Sequence, residues 1–119
     1  MKYSSYKTGI LEIDIQHVNI DFLLSELTKE ELENKAKEKI YEVLKDTFAL
    51  HFDFEEEWTK TNNKEFDPDH QKSHKELLEK LNEMQIQYTN KELNMYEISL
   101  TFKMALVKHV QDHDIKLNA

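Results

Sequence analysis

From Ile40 to Trp58, apolar residues recur at steps of three and four, the period of one helix face. Into that stripe the sequence sets His51 and Glu55, four residues apart and therefore on the same side. An imidazole and a carboxylate turned toward an apolar core are costly to bury unless they are paired or bind a metal. A chain that holds this pair folds only if other segments bring partners to it.

Three other segments carry such partners. Ile13, His17, Ile20, Leu24 and Leu27 make one stripe of a first helix, with Asp14 expected as its N-cap. The signals then conflict. Thr28-Lys29-Glu30-Glu31 has the form of a capping box and Asn34 that of a second N-cap, so the break is placed near Glu33-Asn34. The polar run Asn62-Asn63-Lys64-Glu65-Phe66 predicts a loop. Asp67-Pro68 then predicts a helix start, with Asp as N-cap and Pro at the first helical position. His70, His74, Leu77, Leu81, Met84 and Tyr88 share one face of this third helix. After a break at Thr89-Asn90-Lys91, a fourth helix carries Met95, Ile98, Phe102, Leu106, His109 and Val110.

One glycine and one proline are too few punctuators for a many-turned β fold. Short connections make neighbouring helices antiparallel. The expected architecture is therefore all-α, an antiparallel up-down-up-down four-helix bundle. It is expected to form a single domain over residues 1–119, with residues 1–12 as an N-terminal arm and Gly9 as a turn point within it.

A formal charge of −8 argues against nucleic acid or an anionic membrane as partner. It reads as a solvated surface rather than as a docking face for a basic protein. The absence of cysteine excludes disulfides, thiolate ligands and cysteine nucleophiles, and fits a cytoplasmic location. Met1-Lys2-Tyr3-Ser4-Ser5-Tyr6 lacks the apolar run of a signal peptide. No stretch reaches the ~18 apolar residues of a membrane span. The expected location is the cytoplasm.

At least five of the six histidines fall on or beside an apolar stripe, and every helix contributes. Without a metal, burying each would cost roughly 1–3 kcal/mol. A domain of this size has only about 5–15 kcal/mol of net stability to absorb that. His70-x-x-x-His74 places two imidazoles on one face, and His51-x-x-x-Glu55 an imidazole and a carboxylate on another. His70-Gln71-Lys72-Ser73-His74 lacks the Glu that a zinc-protease motif needs. No Glu stands three residues before any His, as a ferritin-like di-iron site requires. Imidazole suits Fe, Zn, Cu and Ni. Five imidazoles exceed one metal's usual share, so the set points to two ions bridged by carboxylates. On the last helix, spacing pairs His109 with His113. Asp114 follows His109 by five residues, about 140° round an ideal helix, yet continues the Leu106–Val110 row.

These residues resemble the hemerythrin family, in particular single-domain bacterial hemerythrins. The likeness covers roughly residues 8–115. It rests on Ile13-Asp14-Ile15-Gln16-His17, on His51-Phe52-x-x-Glu55-Glu56, on His70-x-x-x-His74, and on Leu106-Val107-Lys108-His109-Val110 followed by Asp114. All seven of the family's ligand positions are present in order. The resemblance implies a non-haem di-iron centre with an oxo or hydroxo bridge. His70, His74 and His109 would hold one iron. His17 and His51 would hold the other, which keeps an open position for O2. Glu55 and Asp114 would bridge the two. His113 would then lie near the helix end, partly exposed, and Glu56 and Glu57 would face solvent.

The resemblance further implies an O2 pocket at Ile20, Phe52, Thr59, Ala105, Leu106 and Val110. At three places the chain departs from the family pattern. Ala105 stands where a Trp is frequent, and Thr59 where a Met is frequent. The usual N-terminal Trp is absent, with Tyr3 or Tyr6 as stand-in. A small residue at position 105 predicts a roomier, wetter pocket and faster autoxidation, unless Trp58 fills the space. The expected function is reversible O2 binding for storage, delivery or scavenging, without enzymatic turnover. The alternatives are an O2 or redox sensor acting through a separate partner, and a di-iron oxidase or peroxidase.

Overall fold

The computed structural model describes residues 5–118. Among these, four helices make an all-α bundle: α1 (Leu11–Glu26), α2 (Asn34–Thr61), α3 (Pro68–Thr89) and α4 (Met95–Asp112). A short 3-10 helix, Asp114–Asn118, follows. Side-chain pairs fix the antiparallel order. Tyr88 donates to Glu38, Gln85 to Glu42, and His74 meets Glu55, so α2 and α3 run in opposite directions. Ser99 donates to the Leu24 carbonyl and Lys103 to Ser25, setting α4 against α1. No described helix is long and apolar enough to cross a membrane.

The helix stripes form the core. Leu24, Leu44, Phe48, Phe52, Leu81, Ile98, Phe102 and Leu106 are buried in one cluster. Tyr41 is buried beside them because its hydroxyl donates to the Leu81 carbonyl at 2.6 Å. A smaller cluster, Ile10, Ile13 and Leu117, packs against Phe54, Trp58 and Phe66. Trp58 therefore fills this satellite core, not the space beside Ala105.

The helix ends correct three expectations. Helix α1 begins at Leu11 with Ile10 as N-cap, so the described arm runs from residue 5 to residue 10. Asp14 lies inside the first turn, and its carboxylate reaches back. It accepts the Thr8 and Gly9 N–H groups and the Thr8 hydroxyl at 2.7–3.1 Å. That pins the arm and places negative charge at the positive end of the helix. Residues 27–33 form a loop rather than a capped helix start, and α2 begins at Asn34 with Glu33 as an N-cap that makes no side-chain bond. The capping box stands instead at Asn94–Glu97, where side chain and backbone bond reciprocally at 2.8 and 3.1 Å. Asp67 caps α3 as its sequence predicts.

Gly9 has φ +90, and a Cβ there would meet the Asn118 side-chain nitrogen at 2.7 Å. The turn thus needs glycine. It lets the Thr8 carbonyl accept a bond from Asn118, tying the arm to the C-terminal turn.

Candidate metal centre

At the end of the bundle nearest the arm, each helix points polar side chains into the core. His17 comes from α1, His51 and Glu55 from α2, His70 and His74 from α3, and His109 from α4. Asp114 comes from the 3-10 turn. All seven are at most 3% exposed.

Their ligand atoms fall into two groups. Glu55, His70, His74, His109 and Asp114 form one, and His17, His51, Glu55 and Asp114 the other. Within each group, the atoms lie within 4.8 Å of one another. Both carboxylates belong to both groups. The Asp114 carboxylate is divided between them. Its Oδ1 lies 2.7 Å from His70 Nε2 and 3.0 Å from His109 Nε2. Its Oδ2 lies 2.8 Å from His17 Nε2 and 3.9 Å from His51 Nε2. Glu55 Oε1 reaches both sides too, at 2.9 Å from His74 Nε2 and 3.7 Å from His51 Nε2.

Position 114 turns inward because α4 stops before it. The helix ends at Asp112 and His113 caps it with φ −129. The following 3-10 turn then re-aims the Asp114 side chain. His113 is half-buried, as its place at the helix end implies, with its ring stacked on that of His70 at 5.1 Å.

The outer nitrogens of the histidines are held from behind. His17 Nδ1–H donates to the Tyr6 carbonyl at 2.7 Å. A carbonyl can only accept, so Nδ1 carries a proton, and Nε2 is turned to Asp114 Oδ2 at 2.8 Å. His51 Nδ1–H donates to Gln16 Oε1 at 2.6 Å, and Ser73 Oγ bonds His109 Nδ1 at 2.7 Å. Phe52 stacks on His74 at 3.9 Å, and Phe66 on His70 at 4.5 Å. Glu56 corrects an expectation: it is half-buried, and its Oε2 stands 3.7 Å from His74 Nδ1. Glu57 is exposed, as expected.

The donor set fits metal ions. His51 Nε2, His70 Nε2, His109 Nε2, Glu55 Oε2 and Asp114 Oδ1 are buried without an aligned hydrogen bond. His70 Nε2 and Asp114 Oδ1 approach to 2.7 Å, yet they do not align as donor and acceptor. Lone pairs that converge on shared points, rather than on each other, suit ions placed between them. Each orphaned group would otherwise cost about 1–3 kcal/mol. Five such costs rival the whole stability of a domain of about 5–15 kcal/mol. All donors are nitrogen or oxygen, a set that suits first-row transition metals.

The electrostatics agree. Burial pushes the Glu55 carboxyl well above its usual range, and the Asp114 charge beside it adds to that. Burial also disfavours the charged form of Asp114. The imidazoles of His109, His17, His51 and His70 around it nevertheless hold it well below the usual carboxylate range. Burial lowers His51, and lowers His74 to about 2, keeping both neutral and able to donate lone pairs. Burial thus favours the neutral form of Glu55, and the surrounding imidazoles favour the charged form of Asp114.

Of the residues expected to line a ligand pocket, Ile20, Phe52, Leu106 and Val110 are buried in the main core cluster, and Ala105 packs against it. Thr59 is buried one turn beyond Glu55 and donates to the Glu55 carbonyl at 2.8 Å. Ala105 also lines a cleft of about 510 Å³ between α3 and α4, together with Ser73, His109 and His113. Tyr6 is buried and backs His17, and Tyr3 lies outside the described residues. Gln16, Ser73, Phe66 and the Tyr6 carbonyl escape sequence reasoning. Gln16 directly precedes His17 and Ser73 directly precedes His74, but each serves a histidine on another helix. Comparisons with protein-family models, curated proteins and solved structures found no match to this chain.

Proposed function

We propose that this protein binds O2 reversibly at two iron ions held in the bundle, for oxygen storage, delivery or scavenging. The observation that carries this reading is the pair of ligand groups sharing Glu55 and Asp114. One group adds three imidazoles, His70, His74 and His109. The other adds only two, His17 and His51, one donor fewer. The order and chemistry of these seven residues also match the hemerythrin pattern. A paired iron site of this kind supplies reversible redox binding of O2 when loaded.

The chain's own residues supply the rest. Tyr6, Gln16 and Ser73 fix the imidazole orientations, so the ligand atoms are held before any metal arrives. Ile20, Phe52, Leu106 and Val110 exclude water from the centre. Two negative charges on Glu55 and Asp114 offset part of the charge of two ions, so loading releases the Glu55 proton.

The test is anaerobic reconstitution with Fe(II), followed by optical spectra through cycles of O2 and argon. Two irons per chain and a charge-transfer band that appears and disappears support the proposal. One zinc per chain with no response to O2 overturns it, and steady turnover of peroxide makes the protein an enzyme instead.

A further inference from the structure

Helix α1 is apolar on both its sides. Its inner face carries Ile13, His17, Ile20 and Leu24, all buried. Its outer face carries Leu11, Ile15 and Phe22, which are 52–67% exposed. These lie at i, i+4 and i+11, so they form a single stripe. The outer face of a solvent-facing helix is ordinarily polar. Helix α4 repeats the pattern: Tyr96, Leu100 and Met104 follow at steps of four and are 47–75% exposed.

The two stripes share one face of the bundle. Ser99 and Lys103 of α4 meet Leu24, Ser25 and Asp21 of α1. On α4, Leu100 and Met104 each follow one of these contact residues, a third of a turn further outward. On α1, Phe22 follows Asp21 in the same way. Both stripes therefore lean outward over the α1–α4 seam. At 47–75% exposure, the six side chains, spread along both helices, together present on the order of 700 Å² of mostly apolar surface. The largest patch of a typical monomer reaches about 300–600 Å². A standard protein interface uses about 800 Å² per partner.

We infer that this face is the contact between two copies of the chain, an isologous dimer with α1 and α4 of each copy packed on those of the other. Two parallel rows of large apolar side chains on antiparallel helices are complementary to themselves under a twofold rotation. The area matches what one such partner needs. An anionic membrane is opposed by the formal charge of −8; the charge also opposes a second copy, so the dimer should tighten as salt screens it. The dimer leaves the metal ligands enclosed within each copy, so it does not depend on the function proposed above.

The experiment is sedimentation equilibrium of the full chain over a hundredfold range of concentration, at moderate salt to screen the charge. The expected mass approaches twice 14.3 kDa. Met104→Glu, at a position 75% exposed in the single chain, keeps the helical spectrum and raises the dissociation constant at least about 30-fold, as for an interface hot spot. Ile86→Glu, on the outer face of α3 and 62% exposed, leaves the dimer intact. A chain that stays monomeric throughout overturns the inference. So does a dimer that survives Met104→Glu but not Ile86→Glu. A monomer that binds phosphatidylcholine vesicles through Met104 also overturns it, making the face a lipid contact.

Discussion

His17 Nε2 and Asp114 Oδ2 stand 2.8 Å apart, though 97 positions separate them in the chain. This buried contact joins the first helix to the C-terminal turn. Asp114 is thus both a candidate ligand and the clasp between the two ends of the fold.

Because Glu55 and Asp114 belong to both ligand groups, their loss should act on both sites at once. Glu55→Ala and Asp114→Ala are expected to abolish tight binding of a second metal ion and to weaken the first. His17→Ala and His74→Ala each remove a donor from one group only and should spare the other. Metal content per chain after anaerobic Fe(II) loading and desalting measures this directly. Equal losses from the carboxylate and the histidine variants would contradict a shared-carboxylate centre.

The groups behind the imidazoles should tune affinity without holding the fold together. Gln16→Leu frees His51 Nδ1, and Ser73→Ala frees His109 Nδ1. Each is expected to weaken its own site by roughly 10–100-fold, the usual effect of losing a ligand's orienting partner. Titration with Co(II), whose spectrum reports coordination, separates the two sites. Thermal unfolding of the metal-free chain should shift little.

Acid should destabilise the metal-free protein. His51 and His74 have folded pKa values lowered by burial, so below about pH 6.5 the unfolded chain takes up protons that the fold refuses. Their contribution is present above that range and is lost as pH falls through it. Glu55 opposes them: its raised pKa makes the fold hold a proton that the unfolded chain releases above about pH 4.5. Burial lowers His113 as well, so three histidines stand against one carboxyl and the unfolded state binds more protons than the fold between about pH 5 and 6. Stability should then fall on acidification through this range. Urea unfolding at a series of pH values checks the slope, and a flat or inverted profile contradicts it.

How much of this was legible beforehand follows from what sequence period can carry. The buried stripes of all four helices, including His17, His51, His70, His74 and His109, follow from the 3.6-residue repeat. Asp114 does not, because an ideal helix turns position 114 away, and only the end of α4 at Asp112 brings it back. That ending leaves no strong local mark, since neither Gly nor Pro stands there. Gln16 and Ser73 were hidden for another reason. Each bonds a histidine on a neighbouring helix, and the relative register of two helices is a property of their packing. The outer stripe of α1 was written in the sequence, but Leu11, Ile15 and Phe22 become unusual only once the inner face is seen to be filled.

We expect position 105 to govern how openly the centre meets solvent. Ala105 lines the cleft between α3 and α4 beside His109 and Ser73, and Trp58 is occupied on the other side of α2 in the satellite core. A cleft of about 510 Å³ has room for an indole without overpacking. Ala105→Trp is therefore expected to fold normally, to cover more apolar surface, and to keep water and small anions from the ligands. If the centre takes up iron and O2 as proposed, conversion of the O2-bound form to the oxidised form should slow severalfold, and azide should bind the oxidised form more slowly. Metal content should stay unchanged, which separates an effect on access from one on ligation. Unaltered rates in a variant of normal stability would mean that solvent reaches the centre by another route.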